Sequence, residues 1–81
     1  MTAWVVYIVE CRNRSYYTGM TNDLARRIKE HKRGLGGRYT RSFGVRAVVY
    51  TEPCRSRGRA LRREAAIKRL TRRQKQKLAS A

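Results

Sequence analysis

Apolar positions fall into three compact runs and two patterns at helical spacing. Trp4 to Cys11 is a short run rich in β-branched and aromatic residues, the pattern of a buried strand. Polar Asn13-Arg14-Ser15 follows, and Tyr16-Tyr17-Thr18-Gly19-Met20 reads as a second strand, so the pair predicts an antiparallel hairpin. Thr21 and Asn22 suit a helix N-cap, with Asp23 in the first turn. Leu24, Ile28 and His31 then recur three to four residues apart, and this helix is expected to end near Gly34. Residues 34–45 hold Gly34, Gly36, Gly37 and Gly44 among basic and aromatic residues, the composition of a flexible loop. Ala47-Val48-Val49-Tyr50 forms a third strand, stopped by Pro53. Ser56 caps a second helix through Leu70, with Leu61, Ala65 and Ile67 or Leu70 facing inward. Thr71-Arg72-Arg73-Gln74 has the form of a capping box and opens a last short helix to about Leu78. The order β-β-α-β-α-α predicts a small α+β layer fold, because three strands bury a face only where helices cover it.

At 81 residues the chain has room for one domain with a thin core, and residues 1–81 are read as that domain. Charge changes the picture more than size does. Lys and Arg number 21 against 5 acids, a formal net charge of +16, alongside 41% hydrophobic residues. That is too apolar for a disordered basic tail and fits a folded domain with a polycationic surface. The charge is concentrated: residues 55–81 carry eleven cations and the single acid Glu64. Nucleic acid is the expected partner, because cations displace its condensed counterions. An anionic membrane is disfavoured, since no long amphipathic helix has a continuous apolar face. No apolar run is long enough to span a bilayer, and the first residues read as a strand rather than a signal peptide. Cys11 and Cys54 make no disulfide framework, and with the lone His31 they make no four-ligand zinc site. They are read as reduced thiols of a cytoplasmic protein.

Several residues have chemical potential, each beside a plainer role. Glu64 is either an i,i+4 partner of Lys68 or a carboxylate anchoring one Mg²⁺, which needs few carboxylates when substrate phosphates complete its shell. Arg27 and His31 are one helical turn apart and share a face with Leu24 and Ile28. They are either a solvated cation and a helix-end histidine, or a guanidinium clamp and a proton carrier beside a phosphodiester. Tyr7, Tyr17 and Tyr50 fall in strands, where packing is the simplest role. A catalytic tyrosine needs its pKa of ~10 brought down by nearby positive charge. Gly19 fits a turn or a close approach of phosphate to the backbone. Composition and spacing thus reach a basic α+β nucleic-acid binder and do not reach catalysis.

A resemblance carries the reading further. Val5-Val6-Tyr7, followed ten residues on by Tyr17-Thr18-Gly19, resembles the paired motif of the GIY-YIG nuclease superfamily. The segment Asn22 to His31 is similar to the family's next block, an Arg eight residues past the glycine and a His four further on. Ala60-Leu61-Arg62-Arg63-Glu64-Ala65-Ala66-Ile67-Lys68 resembles the helix that carries the family's metal-binding glutamate. The match covers residues 4–70, leaving 71–81 as a basic C-terminal helix. Arg38-Tyr39-Thr40-Arg41 and the Leu-Arg-Arg-Glu helix are similar to the small, single-domain bacterial subgroup.

The resemblance implies a three-stranded antiparallel sheet flanked by helices and metal-dependent hydrolysis of phosphodiester bonds. It makes Glu64 the ligand of a single Mg²⁺ or Mn²⁺, and Tyr7 the general base acting on water. Tyr17 would orient water or phosphate, and Gly19 would keep the active surface open. Arg27 would stabilise charge on the scissile phosphate, and His31 would support proton transfer. The sequence departs from the family in two places. Val5 replaces the first motif's glycine, and there is no asparagine after Glu64, where Lys68 is placed to neutralise phosphate charge instead. The reading is a metal-dependent endonuclease of low intrinsic sequence specificity, acting on DNA rather than RNA and open to recruitment by another protein. The alternative is a non-catalytic nucleic-acid-binding module on the same scaffold. Arg26, Arg38, Tyr39, Arg41 and Lys68 are the expected nucleic-acid contacts.

Overall fold

The computed structural model describes residues 3–37 and 42–80. The elements run β1 (Trp4–Cys11), β2 (Tyr16–Thr21), α1 (Leu24–Lys32), β3 (Val45–Cys54), α2 (Arg57–Lys68) and α3 (Arg72–Ser80). This is the β-β-α-β-α-α order expected from the sequence. The sheet is antiparallel throughout, with β1 between β2 and β3.

The apolar character of β1, interrupted by Glu10, follows from this central place. Val6, Tyr7, Ile8, Val9 and Cys11 are all buried, as in a strand covered on both faces. Alternate side chains point to opposite faces. Val6 and Ile8 meet Ala60 and Ile67 of α2, with Trp4, Tyr16, Met20, Tyr50, Leu70 and Leu78 packed around them. Tyr7 and Val9 point to the other face, in register with Gly19 and Tyr17. Tyr7 there meets His31 of α1. One face is thus the hydrophobic core, and the other is a polar and aromatic cluster.

Four expectations are corrected. Asp23, not Thr21 or Asn22, is the N-cap of α1: its side chain accepts from the Arg26 N–H at 3.2 Å, while Thr21 Oγ1 accepts from the Asp23 N–H at 3.0 Å. β3 runs through Pro53 to Cys54, because it is an edge strand where a missing N–H breaks no ladder. Helix α2 ends at Lys68 with Arg69 as its C-cap. Its inner face is only partly the expected one: Ile67 is buried and Leu70 packs on the core as expected, but Ala60 is buried where Leu61, 41% exposed, and Ala65, exposed, were expected. With few apolar residues, α2 has no dominant stripe to set its rotation. Small Ala60 allows close approach to the sheet, and Arg63 donates to both oxygens of Glu52 on β3 at 2.8 and 3.1 Å.

The capping box is present: the Thr71 N–H donates to Gln74 Oε1 at 2.9 Å, and the Gln74 N–H to Thr71 Oγ1 at 3.2 Å. Helix α3 docks on the β1–β2 turn through Arg72, which donates to the Arg14 carbonyl and lies 5.5 Å from the centre of the Tyr16 ring. Among the described residues no helix is long and apolar enough to cross a membrane. Cys11 and Cys54 are free thiols.

Candidate active site

The site is built outward from Tyr7. Its cross-strand neighbour is Gly19, and the Tyr7 ring lies directly over that residue. A Cβ added at Gly19 would sit 2.5 Å from Tyr7 Cζ, closer than any real contact. Gly19 therefore makes room for a side chain of the protein itself. Here the structure specifies what the sequence left open between a turn and a close approach by phosphate.

Helix α1 supplies the next two groups. Arg27 and His31 are one turn apart on its inner face. The helix closes with a pair of bonds: the Gly34 N–H donates to the His31 carbonyl at 3.1 Å and the Leu35 N–H to that of Glu30 at 2.8 Å, with Gly34 at φ 78°. This Schellman motif turns the chain back on α1 and seats buried Gly36 against the His31 ring. A Cβ at Gly36 would lie 2.6 Å from His31 Cγ. The Gly36 carbonyl accepts from Arg27 Nη2 at 2.7 Å. One backbone position thus holds the arginine and leaves space for the histidine. The reading of the sequence flagged the glycines of this segment but assigned Gly36 no role. Glycine content was the available signal, and nothing in the spacing distinguishes Gly36 from its neighbours.

His31 is 1% exposed. Its Nε2 lies 2.8 Å from the Tyr7 hydroxyl, and its ring meets Tyr7 and Tyr17 edge-on at centroid separations of 5.7 and 5.3 Å. Burial, with help from the Arg27 charge, pulls its pKa below the ordinary value, partly offset by Glu30. A neutral imidazole protonated on Nδ1 accepts the Tyr7 proton at Nε2. At Tyr7 the arginine alone does not supply the lowering that a catalytic tyrosine needs. Burial raises its pKa, the charges of Tyr17 and Glu64 add to the rise, and Arg27 opposes it by hydrogen bonding and charge without winning. Arg27 is held in its charged form, first by its hydrogen bond to Tyr7 and then by Glu30, against the effect of burial.

Glu64 approaches from α2. Consecutive helical residues are about 100° apart. With Arg63 turned to Glu52 on β3, Glu64 is on the opposite flank of the buried stripe, near enough to Tyr7 to act on its ionisation. Its side chain is 18% exposed, and Lys68 Nζ lies 3.7 Å from Oε1, so the plain i,i+4 pairing is present. No group of three or more His, Cys, Asp or Glu side chains able to hold a metal occurs among the described residues. The His31 imidazole is taken up by the Tyr7 hydroxyl, which leaves Glu64 as a lone carboxylate donor; that suits a hard cation that keeps its waters and takes phosphate oxygens, and does not suit a structural zinc. Thr18, between the two motif residues of β2, has a buried hydroxyl with no hydrogen-bond partner.

The structure therefore brings together Tyr7, Tyr17, Gly19, Arg27 and His31, with Glu64 in electrostatic reach. Arg26 lines an adjoining cleft of about 310 Å³ together with Arg27, Trp4 and Met20, loosely paired with Glu30 at 3.9 Å. Lys68 is outward-facing next to Glu64. Arg38, Tyr39 and Arg41 lie outside the described residues.

Comparison with known proteins gives the family and the fold. Residues 3–78 match the family described as the GIY-YIG catalytic domain. A UPF0213 protein of Cronobacter sakazakii is 44% identical over 78 residues, covering 96% of this chain and 82% of that protein. One from Desulfotalea psychrophila is 49% identical over 80 residues, 98% of this chain and 73% of the relative. The solution NMR structure of a UPF0213 protein from Bacillus halodurans superimposes with a TM-score of 0.61 at 45% identity, covering 96% of this chain and 83% of that one. With nearly its whole length matched and the motif tyrosines, glycine, arginine and histidine clustered on one face of the sheet, the chain belongs to the GIY-YIG family, a nuclease superfamily.

Proposed function

We propose that the protein is a metal-dependent endonuclease that hydrolyses phosphodiester bonds in DNA. The observation that carries this reading is the buried Tyr7–His31 hydrogen bond at 2.8 Å, with the Arg27 guanidinium near enough to act on the ionisation of the same hydroxyl and Glu64 in electrostatic reach. Packing alone does not call for a tyrosine hydroxyl bonded to a buried imidazole beside a guanidinium.

Tyr7 works as a relay, not as a preformed phenolate. Its hydroxyl passes its own proton to His31 Nε2 while taking one from the attacking water, so Tyr7 is neutral before and after the step. The water O–H bond breaks and the new P–O bond forms as the sugar oxygen departs and is protonated by solvent. His31 carries the proton as imidazolium until solvent removes it. The lowered pKa of His31 keeps it unprotonated at neutral pH and ready to accept. Arg27, anchored through Nη2 to Gly36, has further N–H groups to offer the phosphate as charge builds. Tyr17 meets the histidine ring edge-on at 5.3 Å and orients phosphate or water there. Glu64 would hold the single Mg²⁺ or Mn²⁺, whose chemistry when bound is Lewis-acid stabilisation of charge on the phosphate. Lys68 neutralises charge where other family members carry an asparagine.

The test is conversion of supercoiled plasmid to nicked and linear forms with Mg²⁺, Mn²⁺ or EDTA, with Glu64→Ala purified and run alongside. Metal-dependent cutting that vanishes in the variant supports the nuclease; equal cutting by both overturns the assignment of Glu64. The ion pair between Lys68 and Glu64 favours a second reading, a binding module in which the carboxylate is merely paired. Salt-sensitive DNA binding with no cutting in any metal would select that reading.

A further inference from the structure

We propose that the groove between the C-terminal end of β3 and α2 is a second phosphate site, which grips the nucleic-acid backbone on the flank of α2 opposite Glu64. The proposal rests on the reading of the chain as a nucleic-acid-binding protein, and not on cleavage.

The groove is open to solvent, has a volume of about 590 Å³ and is lined by Arg55, Arg59, Arg62 and Arg63 together with Glu52, Pro53 and Ala66. Arg63 is already engaged: it donates to Glu52, which also accepts from the Tyr50 hydroxyl at 2.6 Å. Burial raises the pKa of Glu52, but the hydrogen bonds from Arg63 and Tyr50 outweigh it and keep the carboxylate ionised. The pair forms one wall. Arg55, Arg59 and Arg62 have no such partner; no carboxylate lies within ion-pair distance of them among the described residues.

Two features of α2 make these three charges unfavourable to the protein alone. Arg59 and Arg62 are three residues apart on one face, where like charges repel. The first turn holds no acid, and Arg55, Arg57 and Arg59 crowd the positive end of the helix dipole, where anions are favoured and cations are not. Ser56 caps that end, accepting from the Arg59 N–H at 3.2 Å, so the helix does not need the arginines for its own backbone. An anion in the groove relieves both repulsions. Guanidinium groups lining a groove beside Pro53 and Ala66 fit phosphate oxygens with the sugar edge laid on those two residues.

The site is distinct from the catalytic cluster. On α2, Arg59, Arg62 and Arg63 lie to one side of the buried stripe of Ala60 and Ile67, and Glu64 to the other. The width of a helix, about 10–12 Å, is equivalent to roughly three base-pair steps along a duplex axis at ~3.4 Å each, so one bound duplex is long enough to meet both sites. The groove then acts as an anchor, lowering KM with little effect on kcat.

The test uses the full chain, EDTA and a 16-base-pair duplex, with binding followed by fluorescence anisotropy from low to high salt. Arg59→Gln with Arg62→Gln is compared with a charge-matched pair on α3, Arg73→Gln with Lys77→Gln. Loss of two phosphate contacts should flatten the slope of log K against log salt by about 1.8 and weaken binding at least tenfold at low salt. The α3 pair should leave the slope within about 0.5 of the wild type. Arg59→Lys with Arg62→Lys should recover most of the slope, and thermal melting checks that each variant is folded. Equal losses from both Gln pairs would show a diffuse field and overturn the site, as would no loss from the groove pair. AMP distinguishes a free nucleotide from a backbone. If AMP shifts the Arg55, Arg59 and Arg62 NMR signals at sub-millimolar concentration and duplex does not displace it, the backbone assignment fails. None of these readouts needs cleavage, so an inactive protein can still bear out the groove, and an active one can still refute it.

Discussion

The Tyr7–His31 cluster and the α2 groove carry cationic side chains in opposite physical settings. In the cluster, Arg27 is fixed by the Gly36 carbonyl and by Glu30, and His31 is sealed from solvent by two tyrosines and a glycine. Position is set there by packing, and one misplaced atom disturbs several contacts. In the groove, Arg55, Arg59 and Arg62 are exposed, and their contribution is charge, which salt screens and a neighbouring cation can partly replace. Function by geometry should be brittle, and function by charge should be graded.

The largest effect should come from the carboxylate beside the cluster. Glu64→Ala is expected to lower the cleavage rate by ~10³-fold or more, the scale of several kcal/mol of lost charge stabilisation. DNA affinity measured in EDTA should hold or rise. A parallel loss of affinity would mean that Glu64 supports the fold instead.

Next is Gly36→Ala, one methyl group placed where the His31 ring already lies. Shifting the ring or the loop should cost about 1–3 kcal/mol of stability, and a displaced Tyr7–His31 pair should cost ~10–100-fold in single-turnover rate. Binding and its salt slope should be unchanged. A variant that melts like the wild type and keeps its rate would show that the cluster is not brittle. Arg59→Gln with Arg62→Gln should give the mirror image, weaker binding with the turnover rate intact.

pH separates the regions more gently. The folded-state pKa of His31 lies below its ordinary 6.5, so the unfolded chain takes up this proton first. The stabilisation it contributes is complete above about pH 6.5 and is lost as pH falls from there toward the folded value. The cleavage rate should have an acid limb below pH 6.5, absent from DNA binding by the arginines. An acid limb centred above 6.5 would contradict the lowered pKa. The smallest effect should come from Thr18→Val. It removes a buried hydroxyl that has no partner, so melting should be unchanged or raised by the equivalent of ~1 kcal/mol. A loss of activity would instead reveal a ligand for that hydroxyl.

Much of this was legible in the chain. Strands and helices follow from local rules, so the apolar run of β1, the hairpin, the Thr71–Gln74 box and the element order all appear in the sequence. The motif residues Tyr7, Tyr17, Gly19, Arg27, His31 and Glu64 were found by resemblance in order and spacing, not by their chemistry alone. Local signals misjudged Pro53, because whether a strand is at the edge is a property of the sheet. They misjudged part of the inner face of α2, because a helix with few apolar residues is rotated by its partners, here Ala60 against the sheet and Arg63 against Glu52.

The sequence by itself determined a basic α+β chain of six elements and its family. Those properties depend on composition, periodicity and spacing, which are additive along the chain. The tertiary structure decided which glycine seats His31, that Tyr7 is raised and not lowered in pKa, and that the arginines of α2 divide from Glu64 across one helix. Each depends on groups distant in sequence brought within a few ångströms, where exclusion of water outweighs the nearby positive charge on Tyr7, and no one-dimensional pattern records that balance.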